Sequence, residues 1–313
     1  YMVGGNRHGG VGMRWDIGIE DLGAQFDAAC PEGTIPKPGS ERRLAGSRMM
    51  PFRLLYFLLW LITGVVLLTM LLRMLPNSLD GKRYIPIIVS LVPWVGVCST
   101  LLAVIAALGK RIVFTAVSII CVVLQLFWHW GFLVPRHEIS ETARSAVATS
   151  AGSLPNTSDQ YARVMTFNTK EGEADAVQIV ETVKAEHVEV LAMQEVTWDL
   201  INRLKTAGIA SYLPYSNIAQ QTWHDNGASY VLMGDFNSTW DHASFRYLLG
   251  NRFVDSGEQA GEGFHMTYPA VFPIAEIDHI VHDRDIHVGD LETKRIDGSD
   301  HLALLGTLEV CDS

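Results

Sequence analysis

Cysteine is scarce. The 313 residues hold four, at Cys30, Cys98, Cys121 and Cys311, and none forms a Cys-x-x-Cys pair. That spacing excludes a disulfide framework and a cysteine-based zinc site. Charge is also sparse, at 19% of residues, and a basic excess is missing: 24 Lys and Arg stand against 34 Asp and Glu. The deficit sits in residues 137–313, where 27 acidic side chains face 11 basic ones. Such a segment is a poor non-specific nucleic-acid binder, because Lys and Arg supply most phosphate affinity. A phosphate ligand here requires a cation between it and the protein. What the chain has in abundance is apolar sequence. Hydrophobic residues make up 48% and mean hydropathy is +0.17, concentrated between residues 52 and 135.

Three uncharged runs, Leu54–Leu72, Tyr84–Gly109 and Ile112–Pro135, are each long enough to cross about 30 Å of hydrocarbon at about 1.5 Å per residue. The sequence therefore predicts three transmembrane helices over residues 51–136, after a Gly-rich, disordered segment 1–50. Arg42, Arg43, Arg48 and Arg53 precede the first run, and Lys110 and Arg111 separate the second from the third. Arg73, Lys82 and Arg83, then Arg136 and Arg144, flank the opposite side. The basic cluster before the first span places the N-terminus in the cytoplasm. A multi-pass protein of the cell membrane with an extracytoplasmic C-terminal domain follows. The lipid bilayer is the one partner implied besides substrate, and no protein partner is inferred. Trp60, Trp94, Trp128 and Trp130 are candidate interface anchors, although Trp60 sits centrally in its run. No acidic or basic side chain interrupts the runs and only His129 is titratable, so anchoring is a simpler role for them than transport.

Residues 137–160, rich in Ser, Ala, Thr and Gly, read as a flexible linker. Beyond them lie short strands broken by turns: Arg163–Phe167, Val188–Met193, Ser229–Met233, Phe264–Tyr268, Ile277–Val281 and Leu302–Leu308. Helices are expected over Ala174–Ala185 and Trp198–Thr206. The interleaving makes residues 161–313 an α+β domain.

Polar residues recur at strand ends. Asn168 follows Val164-Met165-Thr166-Phe167. Glu195 follows Met193-Gln194. Asp235 and Asn237 follow Leu232-Met233-Gly234. Asp278 and His279 interrupt Ile277 and Ile280, and Asp300 and His301 precede Leu302. Singly, each is a turn former or a satisfied histidine. Together they place carboxylates, amides and imidazole as though on one edge of a sandwich. Hard oxygen ligands of this kind suit Mg²⁺ or Mn²⁺. Such an ion neutralises phosphate charge, an Asp can deprotonate water, and a His paired with an Asp can hold a phosphoryl oxygen.

The ordered strings Met165-Thr166-Phe167-Asn168, Gln194-Glu195, Gly234-Asp235-Phe236-Asn237, Ile277-Asp278-His279 and Gly298-Ser299-Asp300-His301 resemble the endonuclease/exonuclease/phosphatase superfamily. Thr267-Tyr268-Pro269 before Ile277 is similar to its bacterial membrane-anchored members. The resemblance implies a DNase I-like four-layer α/β sandwich acting on phosphodiesters or phosphomonoesters by in-line attack of water. It implies that Asn168, Glu195 and Asp300 bind metal, that Asp235 aligns or deprotonates the water, and that Asn237 contacts phosphate or nucleophile. His301, oriented by Asp278, stabilises the phosphate. Nucleic acid, inositol phosphate and phospholipid headgroups are the substrate classes implied. The interval between Glu195 and Asp235 is shorter than in the family and lacks its Gly…Ser-Arg and His-Pro motifs; His224 there reads as a turn residue. An incomplete sandwich is therefore expected, with a catalytically impaired binding or scaffold protein as the alternative function.

Overall fold

A computed structural model describes residues 45–149, 160–216 and 229–311. Residues 1–44, the linker residues 150–159 and His224 lie outside the described residues. Alternating side chains build the centre of the domain. Strands β1 (Tyr161–Asn168), β2 (Val190–Gln194), β6 (Ile286–Arg295) and β7 (Leu302–Val310) form one sheet in the order β2-β1-β7-β6. Strands β3 (Val231–Asp235), β4 (Phe253–Asp255) and β5 (Asp278–Asp283) form a second in the order β3-β5-β4. Successive side chains of a strand point to opposite faces. Met165 and Phe167 of β1, with Ala303 and Leu305 of β7, pack on helices α8 (Ala176–Ala185) and α9 (Trp198–Ala207), through Ile179, Val183, Leu200 and Leu204. Val164 and Leu304, one residue out of phase, meet Ile280, Val288 and Met233 between the sheets. Val281 of β5 faces outward to Phe245 and Leu249 of α10 (Ala243–Leu249). The order is helix, sheet, sheet, helix, the four-layer mixed α and β arrangement expected.

Local signals set the helix ends. The Asp175 carboxylate accepts from the Val177 and Gln178 amides, and Thr197 accepts from Leu200. These are N-caps, each worth about 1 kcal/mol. Gly208, left-handed at φ 90°, closes α9. One expected strand is missing: Phe264–Tyr268 yields only a bridge between Tyr268 and Ala275. The Thr267 hydroxyl accepts instead from the Ile277 and Asp278 amides, and Pro269 has no N–H to continue a ladder.

The membrane expectation is corrected. Among the described residues, one helix is long and apolar enough to cross a membrane: Leu54–Arg73, within α1 (Ala45–Arg73). Asn77–Asp80 forms a short helix, α2. The second apolar run breaks into α3 (Ile85–Val89) and α4 (Val92–Leu108), with Pro86 and Pro93 in the first turn of each. Proline suits that position and cannot sit in a helix interior without removing a hydrogen bond. The third breaks at His129 into α5 (Ile112–Trp128) and α6 (Trp130–Leu133). At 17 residues each, α4 and α5 reach about 26 Å. The linker expectation also changes. Residues 141–149 form α7 (Glu141–Thr149), started by the Ser140 hydroxyl accepting from the Ala143 amide and held by an Arg144–Asp290 ion pair.

Helix α6 meets α11 (Ser256–Ala260), where Glu258 pairs with Arg136. Burial raises the Glu258 carboxyl to about 7, only partly offset by Arg136. An unfolded glutamate titrates near 4.5, so between these values the folded chain holds a proton that the unfolded chain has released. Stability falls as pH rises through that window. Glu258→Gln removes the effect, on the order of 3 kcal/mol when complete. Its Tm relative to wild type is expected to climb from about pH 5 to pH 7.5; a difference flat across that range would refute this assignment.

Candidate active site

Strand direction explains why distant residues meet. Strands β1 and β2 run parallel, with Asn168 opposite Gln194, so Asn168 and Glu195 leave the sheet at the same edge. Strand β5 runs antiparallel to β3 with Asp278 opposite Asp235, so the start of one lies beside the end of the other. Strand β7 is antiparallel to β1, which brings His301 beside Asn168. Five residues expected at the site, Asn168, Glu195, Asp235, Asp278 and His301, thus converge there.

Asn168 is the hub. Its Nδ2 donates to Glu195 Oε1 and to Asp235 Oδ2, both at 3.0 Å, and its Oδ1 accepts from the Lys170 amide. Glu195 Oε2 accepts from the Glu171 amide at 2.9 Å. The Asn168 hydrogen bond and then the Glu171 amide hold the Glu195 carboxyl below the usual carboxylate range. Asp235 differs. Burial, with the like charge of Asp278 adding, raises its pKa, although the Asn237 amide and Asn168 stabilise the anion. The Asn237 backbone N–H donates to Asp235 Oδ1 at 2.7 Å and its side chain to Oδ2 at 3.3 Å.

His301 lies at 2.8 Å from Asp278 through Nδ1, while its Nε2 stands 3.8 Å from Asp235 Oδ2. Burial depresses its basicity, but the hydrogen bond and charge of Asp278, with Asp235 and Asp300 behind them, reverse this and raise its pKa. Ligand-type atoms of Asp235, Asp278 and His301 all lie within 4.8 Å of one another. Asp278 Oδ1 is buried without a hydrogen-bond partner. A buried carboxylate oxygen so placed is an acceptor awaiting a cation or donor. With Glu195 and Asp235, it makes a hard-oxygen donor set of the kind Mg²⁺ or Mn²⁺ takes.

Asp300 is the looser member. Its carbonyl accepts from the Ala270 amide at 2.6 Å, and its charge acts on His301 and Lys170. Ser299 is a residue the sequence reading quoted without a role: its hydroxyl donates to the Asn168 carbonyl at 2.7 Å and accepts from the His301 amide at 3.0 Å. It thereby locks β1 to the loop before β7. Tyr268 lies with its ring 5.0 Å from that of His301. Only the Thr-Tyr-Pro string hinted at it. His279, the neighbour of Asp278 in sequence, points the other way and bonds Asp255 at 2.9 Å in the core. Lys170, Glu171, Glu195 and Asn237 all have φ between 49° and 55°. Left-handed backbone costs a non-glycine residue about 1 kcal/mol or more, and its clustering marks a place where geometry outranks local comfort.

Residues 165–301 match the Endonuclease/Exonuclease/phosphatase family. That segment is similar to a family whose members are generally hydrolases of the nuclease and phosphatase type. The chain is also similar to the crystal structure of an endonuclease/exonuclease/phosphatase family protein from Bacteroides thetaiotaomicron, at 14% identity and a TM-score of 0.37, over 49% of this chain and 98% of that one. No curated protein matches it.

The His301–Asp278 pair gives a direct test. Asp278→Asn removes the charge that raises the imidazole, so the His301 pKa is expected to drop, followed by ¹⁵N NMR of the imidazole against pH. An unchanged titration would show that Asp278 does not govern His301.

Proposed function

We propose that this chain is a divalent-metal-dependent phosphoester hydrolase held at a membrane by its apolar helix. The observation that carries the reading is the convergence of Asp235, Asp278 and His301 within 4.8 Å, bordered by Asn168 and Glu195. Glu195 with Asn168, and Asp300, would hold Mg²⁺ or Mn²⁺, with the unpartnered Asp278 Oδ1 as a further oxygen donor. The ion would supply positive charge against the phosphoryl oxygens, which an acidic domain otherwise repels. The remaining work falls to the chain. Asp235, its pKa raised by burial, is suited to take a proton from water. Asn237 lies beside it to orient the water or phosphate. His301, kept cationic by Asp278, donates a hydrogen bond to a phosphoryl oxygen. Phosphodiesters and phosphomonoesters both fit this chemistry.

Membrane attachment rests on surface. The window within Leu54–Arg73 has mean hydropathy 2.4 and is 22% buried, whereas the core helix of a soluble protein is mostly covered. Leu61, Leu68 and Leu71 of α1, Leu101 of α4 and Phe127 of α5 are all exposed. A contiguous apolar surface of this size needs a partner, and lipid fits its composition.

Hydrolysis of bis(p-nitrophenyl) phosphate by the full chain in detergent is expected with Mg²⁺ or Mn²⁺ and is abolished by EDTA. Asp235→Ala and His301→Ala should each lower kcat by about 10²- to 10⁴-fold. Wild-type rates in both would remove the site assignment. The chain should also float with phospholipid vesicles and lose this on introducing Leu61→Arg and Leu68→Arg, two exposed positions. Flotation unaffected by the pair would separate the hydrolase reading from the membrane one.

A further inference from the structure

The segment from Asp235 to His242 joins the candidate site to the helical part of the chain, and nearly every residue in it is tied down. The Phe236 amide donates to the Ile277 carbonyl at 2.9 Å. The Ser238 carbonyl accepts from His279 Nε2 at 2.9 Å, and the other nitrogen of that ring bonds Asp255. The Thr239 amide donates to His242 Nδ1 at 2.8 Å, which leaves the His242 Nε2 proton for the Pro86 carbonyl of α3, at 3.1 Å. The Trp240 carbonyl accepts from Arg246, whose other arm donates to the Arg73 carbonyl at the end of α1.

Asp241 is the centre of this junction. It is fully buried, and its carboxylate accepts from Arg73 Nε and lies 3.0 and 3.2 Å from His129 Nε2, at the break between α5 and α6. The Arg73 guanidinium also lies 4.3 Å over the Trp128 ring. Burial alone would raise the Asp241 carboxyl. The hydrogen bond and charge of His129 and the charge of Arg73 outweigh it and hold the group below its ordinary range. One further tie fixes the frame: Asp80 of α2 accepts from the Ser244 amide and hydroxyl, both at 2.8 Å.

We propose that Asp241 is a positioning residue through which the ends of α1 and α5 set the geometry of Asp235 and Asn237. Five residues separate Asp241 from Asp235, and the ties leave no slack between them. Asn237, left-handed at φ 49°, stays where it is only while both ends of the segment are held. A shift of Arg73 or His129 therefore reaches the reactive carboxylate instead of dissipating in a loop. The helices then act as a frame for the site as well as an anchor. This inference rests on the hydrolase reading above.

The test separates positioning from simple attachment. Replacing one partner of a buried ion pair leaves an uncompensated charge, whereas replacing both with apolar residues of similar size preserves folding. The double variant Arg73→Met/Asp241→Leu of the full chain, in detergent, is compared with wild type for kcat and KM on bis(p-nitrophenyl) phosphate, for Mn²⁺ affinity by electron paramagnetic resonance, and for thermal midpoint. A cooperative melt near that of wild type, KM within about twofold and kcat lowered about tenfold or more are expected, because small misplacements of a reacting group cost rate steeply. A folded double variant with wild-type kcat overturns the proposal. If the double variant does not fold, the isosteric Asp241→Asn is read by the same criteria. A wild-type chain that neither hydrolyses the ester nor binds Mn²⁺ would instead bring down the hydrolase reading itself, and this inference with it.

Discussion

Two carboxylates facing each other across an antiparallel pair are the constraint from which the site follows. Asp235 and Asp278 are register partners on β3 and β5, and Asp278 is fully buried. Like charges this close in a poorly hydrated place repel strongly unless something of opposite sign stands among them. Three groups do so from three directions. Asn168 and Asn237 direct Nδ2 at Asp235 Oδ2, and His301 bridges from Asp278 toward the same oxygen. Asn168 and Asn237 donate to Asp235 within hydrogen-bond length, His301 stands 3.8 Å from the same oxygen, and Asp278 Oδ1 is left without a partner. That unpartnered oxygen is the place where the proposed divalent cation would add positive charge.

The same neighbourhood shifts two groups. The hydrogen bond and charge of Asp278 outweigh burial and raise the His301 imidazole, and burial beside Asp278 raises the Asp235 carboxyl. The left-handed backbone at Glu195, directly after β2, and at Asn237, two residues after β3 ends, turns a carboxylate and an amide back over the sheet edge.

The site was largely legible in the sequence because its residues sit at strand ends, where period-two runs such as Val164–Phe167 and Leu302–Leu305 stop abruptly. The helices expected over 174–185 and 198–206 were legible from their apolar spacing and appear as α8 and α9. Strand β6 was not. Its register shifts between Gly289 and Glu292, so Ile286 and Val288 alternate while Leu291 falls out of phase. Helix α10 offers only Phe245 and Leu249 as buried apolar residues, too short a pattern to see. The apolar runs misled in another way. Hydropathy registers composition over a window and is blind to where Pro93 restarts a helix or His129 ends one. Nothing local to Arg73, His129 or Asp241 announces that they meet, because their pairing is set by tertiary contacts across more than a hundred residues.

That junction also explains why a chain so apolar in one half joins a chain so acidic in the other without a flexible spacer at the site. An apolar contact between helix ends and the α+β domain would hold the two together at many angles, because hydrophobic burial has no direction. An arginine N–H and an imidazole on one carboxylate do have direction, and off-axis arrangements leave a buried charge unmatched. The aromatic contacts beside them, Phe132 stacked on Phe264 at 4.5 Å and edge-on to Trp240 at 5.8 Å, add area around a geometry that the charges define. Trp240 is the immediate neighbour of Asp241, so area and direction act on the same short segment. The helices meet the domain at the loop that follows Asp235, and a polar contact is the kind that can fix where that loop sits.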